Sequence, residues 1–265
     1  MTLLPPLETI LLERRGRVLA VTLNRPETLN AFNLAMHTEM VTALEFAKDD
    51  PDSDVIVLTG AGRAFSAGGD LDHIAHNAAH PEKAEIEVAV GKAIVLTLLD
   101  IAKPVLCRMN GHAVGLGASI ALLCDVIFAS NKAKIGDPHV GVGLVAGDGG
   151  AIVWAQRIGL ARTKEYLLTG ELLTAPKAAE IGLINHSLPP EELDAAVEAF
   201  CAKLLAGAQQ AIRYTKMLTN LELKRVAALV LDQGLEWEAI TMRSADHREA
   251  VQALIEKRTP VFTGA

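Results

Sequence analysis

The sequence predicts an α/β fold whose last quarter is helical. Two observations carry that reading. Up to about residue 190, apolar runs rich in Val, Leu and Ile and stopped by Asn, Gly or Pro alternate with segments of helical spacing; beyond it, helical spacing continues with little strand character. Half of the 265 residues are hydrophobic, enough to bury a sizeable core.

RVLAVTLNRP is strand-like because Val18, Leu19, Val21 and Leu23 form a run that Asn24 and Pro26 halt. NAFNLAMHTEMVTALEFAKDD follows as a helix, with Leu34, Met40, Val41, Leu44 and Phe46 near helical spacing and DDPDSD as its stop. SDVIVLTG and AKPVLCRMNG are further strands, ASIALLCDV a helix, and VIFAS and AKIG short strands. After Leu188 to Pro190 come the helical segments PPEELDAAVEAFCAKLLAG, QQAIRYTKML and LELKRVAALVLDQGLEWEAITMRS. The expected organisation is an α/β core over 1–190 and a helical region over 191–265, packed together because no low-complexity linker divides them.

The net charge of −7 is spread rather than blocked, and the run Lys216, Lys224, Arg225 is too sparse for nucleic acid. Cys107, Cys124 and Cys201 lack paired spacing and sit among apolar residues, which points to buried thiols in a reducing compartment. The N-terminal apolar run is broken by Pro5, Pro6 and Glu8 and has no basic leader. No uncharged run approaches the roughly 18 to 20 residues of a membrane span. A cytoplasmic protein acting on a small molecule is expected, with neither membrane nor nucleic acid as partner.

Two stretches share one grammar. In VIVLTGAGRAFSAGGDL a strand leads into Gly68-Gly69 and a helix starting near Asp70; in VLCRMNGHAVGLGASIALL a strand leads into Gly115-Leu116-Gly117 and a helix. Amides at a helix N-terminus lack intrahelical partners and lie at the positive end of the dipole, so they favour an anion or a developing oxyanion. Each turn alone also fits a simple tight turn. A phosphate loop is disfavoured because no glycine turn precedes Lys-Ser or Lys-Thr, and the dinucleotide fingerprint is incomplete.

Together LNRPETLNAFN at 23–33, AFSAGGDL at 64–71, NGHAVGLGASIALLCDVIFAS at 110–130 and EKRTPVFTG at 256–264 resemble, in order and over nearly the whole chain, the crotonase (enoyl-CoA hydratase/isomerase) superfamily. The resemblance implies a spiral of ββα repeats with a C-terminal helical trimerisation region, assembled as a homotrimer or dimer of trimers. It implies acyl-CoA substrates, with coenzyme A as part of the substrate and no separate cofactor, and a thioester enolate held by two backbone N–H groups. Carried over by position, those groups are Gly69 and Leu116, the latter replacing a common glycine. Only the amide is needed there, provided the leucine side chain turns away. Residues 24–31 and 64–70, including Arg25, Asn30, Ala31, Ala67 and Asp70, are expected along the CoA groove, and Lys257 and Phe262 near the nucleotide, of this or a neighbouring subunit.

A hydratase of this superfamily uses two glutamates. The matching positions here are Ser119 and His139, so both carboxylates are absent. What remains is His139 after Pro138, with Asp148 nine residues on. A histidine titrating near neutrality takes a proton from water, and an aspartate bonded to its far nitrogen would fix the tautomer and stabilise the imidazolium. This pair, with Glu238 in GLEWEAI, locally resembles the β-diketone hydrolase branch, which performs retro-Claisen carbon–carbon cleavage without CoA. The readings kept open are an enoyl-CoA hydratase or isomerase using a His-Asp pair, a β-dicarbonyl hydrolase, and a noncatalytic CoA-binding homologue. Structural roles stand beside these: Asp148 capping a helix at 149–152, His139 satisfying backbone carbonyls, Ser119 as helix surface or packing, and Glu236 and Glu238 as solvated helix charges. His73, His76 and His80 recur at i, i+3 and i+7 but are expected to face solvent, and no metal site is expected.

Overall fold

The computed structural model describes residues 2–80 and 84–265. The apolar runs form its main sheet. β1 (Ile10–Arg15) pairs antiparallel with β2 (Val18–Leu23), and β3 (Val55–Gly60), β4 (Val105–Met109), β6 (Val126–Ser130) and β9 (His186–Leu188) join in parallel in the order β1-β2-β3-β4-β6-β9. A second sheet joins β5 (Ala113–Val114), β7 (Lys134–Gly136) and β8 (Leu173–Thr174). β1 is not among the strands the pattern predicts; Leu11, Glu13 and Arg15 face solvent on this edge.

Both faces of the central strands are covered, which is why they appear as continuous apolar runs. On one face Leu19, Val21, Leu23, Ile56 and Leu58 meet Met36 and Met40 of α1 (Leu34–Asp49) and Ile94 and Leu98 of α3 (Ala84–Asp100). On the other, Val55, Val57, Leu106 and Phe128 meet Leu193, Val197 and Cys201 of α7 (Pro190–Leu205). The expected boundary at 188–190 therefore falls where α7 begins, and that helix lies directly on the sheet.

Segment 209–241, read as two helical pieces from its spacing, is one helix, α8 (Gln209–Thr241), packed on α3 and on α5 (Gly150–Thr169). The last helix, α9 (Ala245–Glu256), packs against α2 (Leu71–Ala79). Two shorter helices, α4 (Leu116–Leu123) and α6 (Ala175–Glu180), follow β5 and β8. All three cysteines are buried free thiols. Among the described residues no helix is long and apolar enough to cross a membrane.

Candidate active site

The two glycine turns are brought face to face. Val114 donates its N–H to Ser66 O at 3.0 Å, and Phe65 and Ser66 both donate to His112 O. Gly68 has φ +89, and a Cβ there would lie 2.9 Å from Val114 O, so only glycine lets the strands close this tightly. A Cβ on Gly115 would in turn come 3.9 Å from Gly68 Cα. Gly69 and Leu116 follow these contacts and line one cavity of about 380 Å³. Neither amide donates to an acceptor among the described residues. The Leu116 side chain is 7 % exposed and belongs to the main core, so it leaves its own N–H unobstructed. Such a pair can stabilise an oxyanion.

Residues expected along a CoA groove hold this arrangement from behind. Arg25 donates from Nη1 to Ala31 O at 2.6 Å and to Asp70 Oδ2 at 2.9 Å. Asp70 also caps α2, accepting from Asp72 and His73 amides; burial raises its pKa, but Arg25 and these amides outweigh it and leave the net value below the ordinary one. Asn30, in the left-handed region at φ 56, donates to Ala61 O and Ala64 O at 2.9 Å each and accepts from Arg25 N–H. Asn30 is fully buried, and of the residues expected along the groove Ala67, Gly68 and Gly69 line the cavity. Lys257 and Phe262 do not line it either; Lys257 closes α9 in the left-handed region, and Phe262 lies with Val140 and Gly143 in a separate depression.

His139, Asp148 and Glu238 do line the cavity together. The expected bond between Asp148 and the far nitrogen of His139 is corrected. That nitrogen, Nδ1, is bonded to Asp137 Oδ1, a residue the pattern did not single out, while Asp148 Oδ2 stands 3.7 Å from Nε2, on the nitrogen facing the cavity chemistry. The reason is local: Pro138 starts a 3-10 turn over His139–Val142 that folds the ring back on the residue two before it. Asp148 is not the cap residue of α5, which is Gly149 at φ 114, but the amide of Gly150, the first of that helix, favours its carboxylate. Asp148 Oδ1 accepts from Ser119 Oγ at 3.0 Å, so Ser119, 1 % exposed, is neither surface nor idle packing. Glu238 is 7 % exposed, not a solvated helix charge, and a Cβ on Gly147 would lie 2.8 Å from its Oε2.

Burial opposes a charged His139, but the carboxylates of Asp137 and Asp148, the Asp137 bond and Glu238 outweigh it, holding the imidazole pKa well above its ordinary value. Asp148 is pushed up chiefly by its own burial, against the pull of the imidazolium. The cluster therefore favours a proton on the imidazole, whose Nε2 stands beside Asp148 in the cavity. Asp137, His139 and Asp148 also place donor atoms within 4.8 Å of one another, close enough for one cation. An imidazolium has no lone pair to offer a metal, so the raised pKa favours the proton.

His73 lines the cavity beside His37 and Asn77 rather than facing solvent as expected; its ring lies 6.0 Å from that of His37, and His76 and His80 are 4.6 Å apart. His247 of α9 lines it too. Neither His37 nor His247 carries a sequence signal, because each reaches the cavity only through the packing of its helix.

A spiral whose second glycine turn starts α4 against the first belongs to the crotonase superfamily. The family profile described as Enoyl-CoA hydratase/isomerase matches residues 13–265, and the chain is a member of that family. A crotonyl-CoA hydratase of Syntrophomonas wolfei is 31 % identical over 260 residues, covering 96 % of this chain and 98 % of that protein. A 1,2-epoxyphenylacetyl-CoA isomerase of Escherichia coli K12 is 32 % identical over 260 residues, covering 97 % and 99 %. The crystal structure of an enoyl-CoA hydratase/isomerase from Mycobacterium paratuberculosis superposes with a TM-score of 0.89 at 38 % identity, covering 93 % of this chain and 98 % of that one. The family relationship makes the chain an enzyme of CoA-thioester chemistry, and similar relatives include both a hydratase and an isomerase.

Proposed function

We propose that the chain is an enoyl-CoA hydratase/isomerase-like enzyme that holds the thioester oxygen of an acyl-CoA on the Gly69 and Leu116 amides and moves protons with His139 and Asp148 in place of two glutamates. The observation that carries it is the convergence on one cavity of two unengaged amides and a buried imidazole flanked by Asp137 and Asp148. His139 enters the reaction as an acid, since three carboxylates favour its imidazolium. In hydration, Asp148 takes a proton from water as the hydroxyl adds to Cβ of the enoyl group, and electrons move to the thioester oxygen on the two amides. His139 then gives its Nε2 proton to Cα as the enolate collapses, and the proton on Asp148 crosses to Nε2 to restore the pair. Isomerisation uses the same groups to take a proton from one carbon and return it to another. Coenzyme A is part of the substrate, and no separate cofactor takes part.

His139→Ala is expected to lower turnover by about 10²- to 10⁴-fold, the usual contribution of a positioned acid or base, while acyl-CoA binding and the melting transition remain. Near-normal turnover sinks the role. The burial of Glu238 beside the cluster supports a second reading, water-driven cleavage of a β-dicarbonyl substrate. Product mass separates the two: hydration adds one water to an enoyl-CoA, isomerisation preserves mass, and cleavage opens or splits a diketone.

A further inference from the structure

The wall of the cavity contributed by α9 carries a polar atom that the chemistry above does not use. His247 is 2 % exposed and lines the cavity, with the apolar Val142, Leu144, Met242 and Leu254 among its companions there. Its Nδ1 lies 2.7 Å from Val142 O, and because a carbonyl only accepts, Nδ1 carries the proton. Nε2 makes no hydrogen bond among the described residues, and it is the one polar ring atom His247 has left to offer. Burial, with the positive charge of Arg248 nearby, lowers the pKa of this histidine even though the Val142 bond favours the charged form, so the ring is neutral and Nε2 is an acceptor. That acceptor opens to the cavity among apolar side chains, so an acyl chain that packed there without a donor would strip it of water at a cost.

We propose that His247 reads a hydroxyl group on the acyl chain of the substrate, accepting its hydrogen bond at Nε2. The inference rests on the CoA-thioester reading and narrows it to acyl groups that are not plain hydrocarbons. Charge decides among donors. A carboxylate brings no proton to a neutral Nε2 and enters a cavity already lined by Asp148 and Glu238. An ammonium would have to shed its water against the same apolar wall whose burial keeps His247 itself neutral. A hydroxyl supplies the donor at no cost in charge.

The test is calorimetric binding of saturated esters, which are not hydrated: hexanoyl-CoA, its 4-, 5- and 6-hydroxy derivatives, 6-aminohexanoyl-CoA and adipyl-CoA. At least one hydroxy ester is expected to bind about tenfold more tightly than hexanoyl-CoA, the scale of one neutral hydrogen bond. His247→Asn keeps a donor for Val142 O and loses the Nε2 acceptor, so the preference falls to near unity; His247→Gln, with an oxygen near the Nε2 position, restores part of it. Melting curves verify that both variants fold. Binding of hexanoyl-CoA without any hydroxy preference overturns this inference and leaves the CoA reading standing. So does a preference that survives His247→Asn, or tighter binding of the amino or carboxy ester. Failure of every ester to bind overturns both.

Discussion

Asp137 changes what His139 does. A lone histidine in this loop would titrate near its ordinary value of 6.5 and serve as a base; bonded to Asp137 and faced by Asp148, it keeps its proton to higher pH. Below 6.5 the folded and unfolded chains both carry that proton, and its stabilising contribution is present in full. As pH rises, the unfolded ring releases its proton first, so the contribution declines and is lost once the folded pKa is passed. Asp137→Asn removes the foremost attraction opposing burial, so stability should fall less between about pH 6 and about pH 9 than in the unaltered chain. Urea midpoints at the two pH values measure this, and equal losses in both proteins contradict it. The alkaline limb of the pH–rate profile should move to lower pH in the same variant. The sequence pointed to His139 and Asp148 because each stands where the family places acid–base groups or a Gly-Asp-Gly turn. It did not point to Asp137, since a separation of two residues says nothing about facing until the Pro138 turn is known.

At the scale of elements, the strands β2, β3, β4 and β6 were legible because burial on both faces leaves unbroken apolar runs between breakers. α3 was not, because Ile94, Val95, Leu98 and Leu99 bury it among α1, α4 and α8 and blur the one-sided spacing that marks a surface helix. The two glycine turns were legible singly, but their meeting was not, since it depends on β5 pairing beside the first turn. That meeting makes Gly68 a point of leverage. Gly68→Ala forces a side chain into φ +89 and sets a Cβ 2.9 Å from Val114 O, a strain on the order of 1–3 kcal/mol. The expected outcome is a melting temperature lowered by several degrees, with turnover reduced about 10²-fold as the neighbouring Gly69 amide shifts. Thermal melts and steady-state rates on an enoyl-CoA check it, and a variant with unaltered turnover would show that this junction does not set the amide's position.

For the whole molecule, the face of α8 that the single chain leaves uncovered matters most. Tyr214, Leu218, Leu221, Leu229 and Ile240 lie within about one third of the helix circumference, and each is more than half exposed. Full burial of a leucine is worth roughly 1.5–3 kcal/mol, so a row of them along 33 residues is a large exposed apolar surface for one soluble chain. The opposite side of the same helix packs on α3 and α5 and carries Glu238 into the cavity. A neighbour seated on the outer face would therefore stiffen the helix that presents Glu238. We expect a homotrimer or dimer of trimers through the C-terminal helices, as the family resemblance implies, and the row on α8 as part of its interface. Light scattering after size exclusion should give three or six times the chain mass. Leu218→Glu combined with Leu229→Glu should bring the mass toward that of one chain, because two carboxylates would otherwise be buried without partners. A monomeric unaltered chain, or an oligomer indifferent to both glutamates, would remove α8 from the interface.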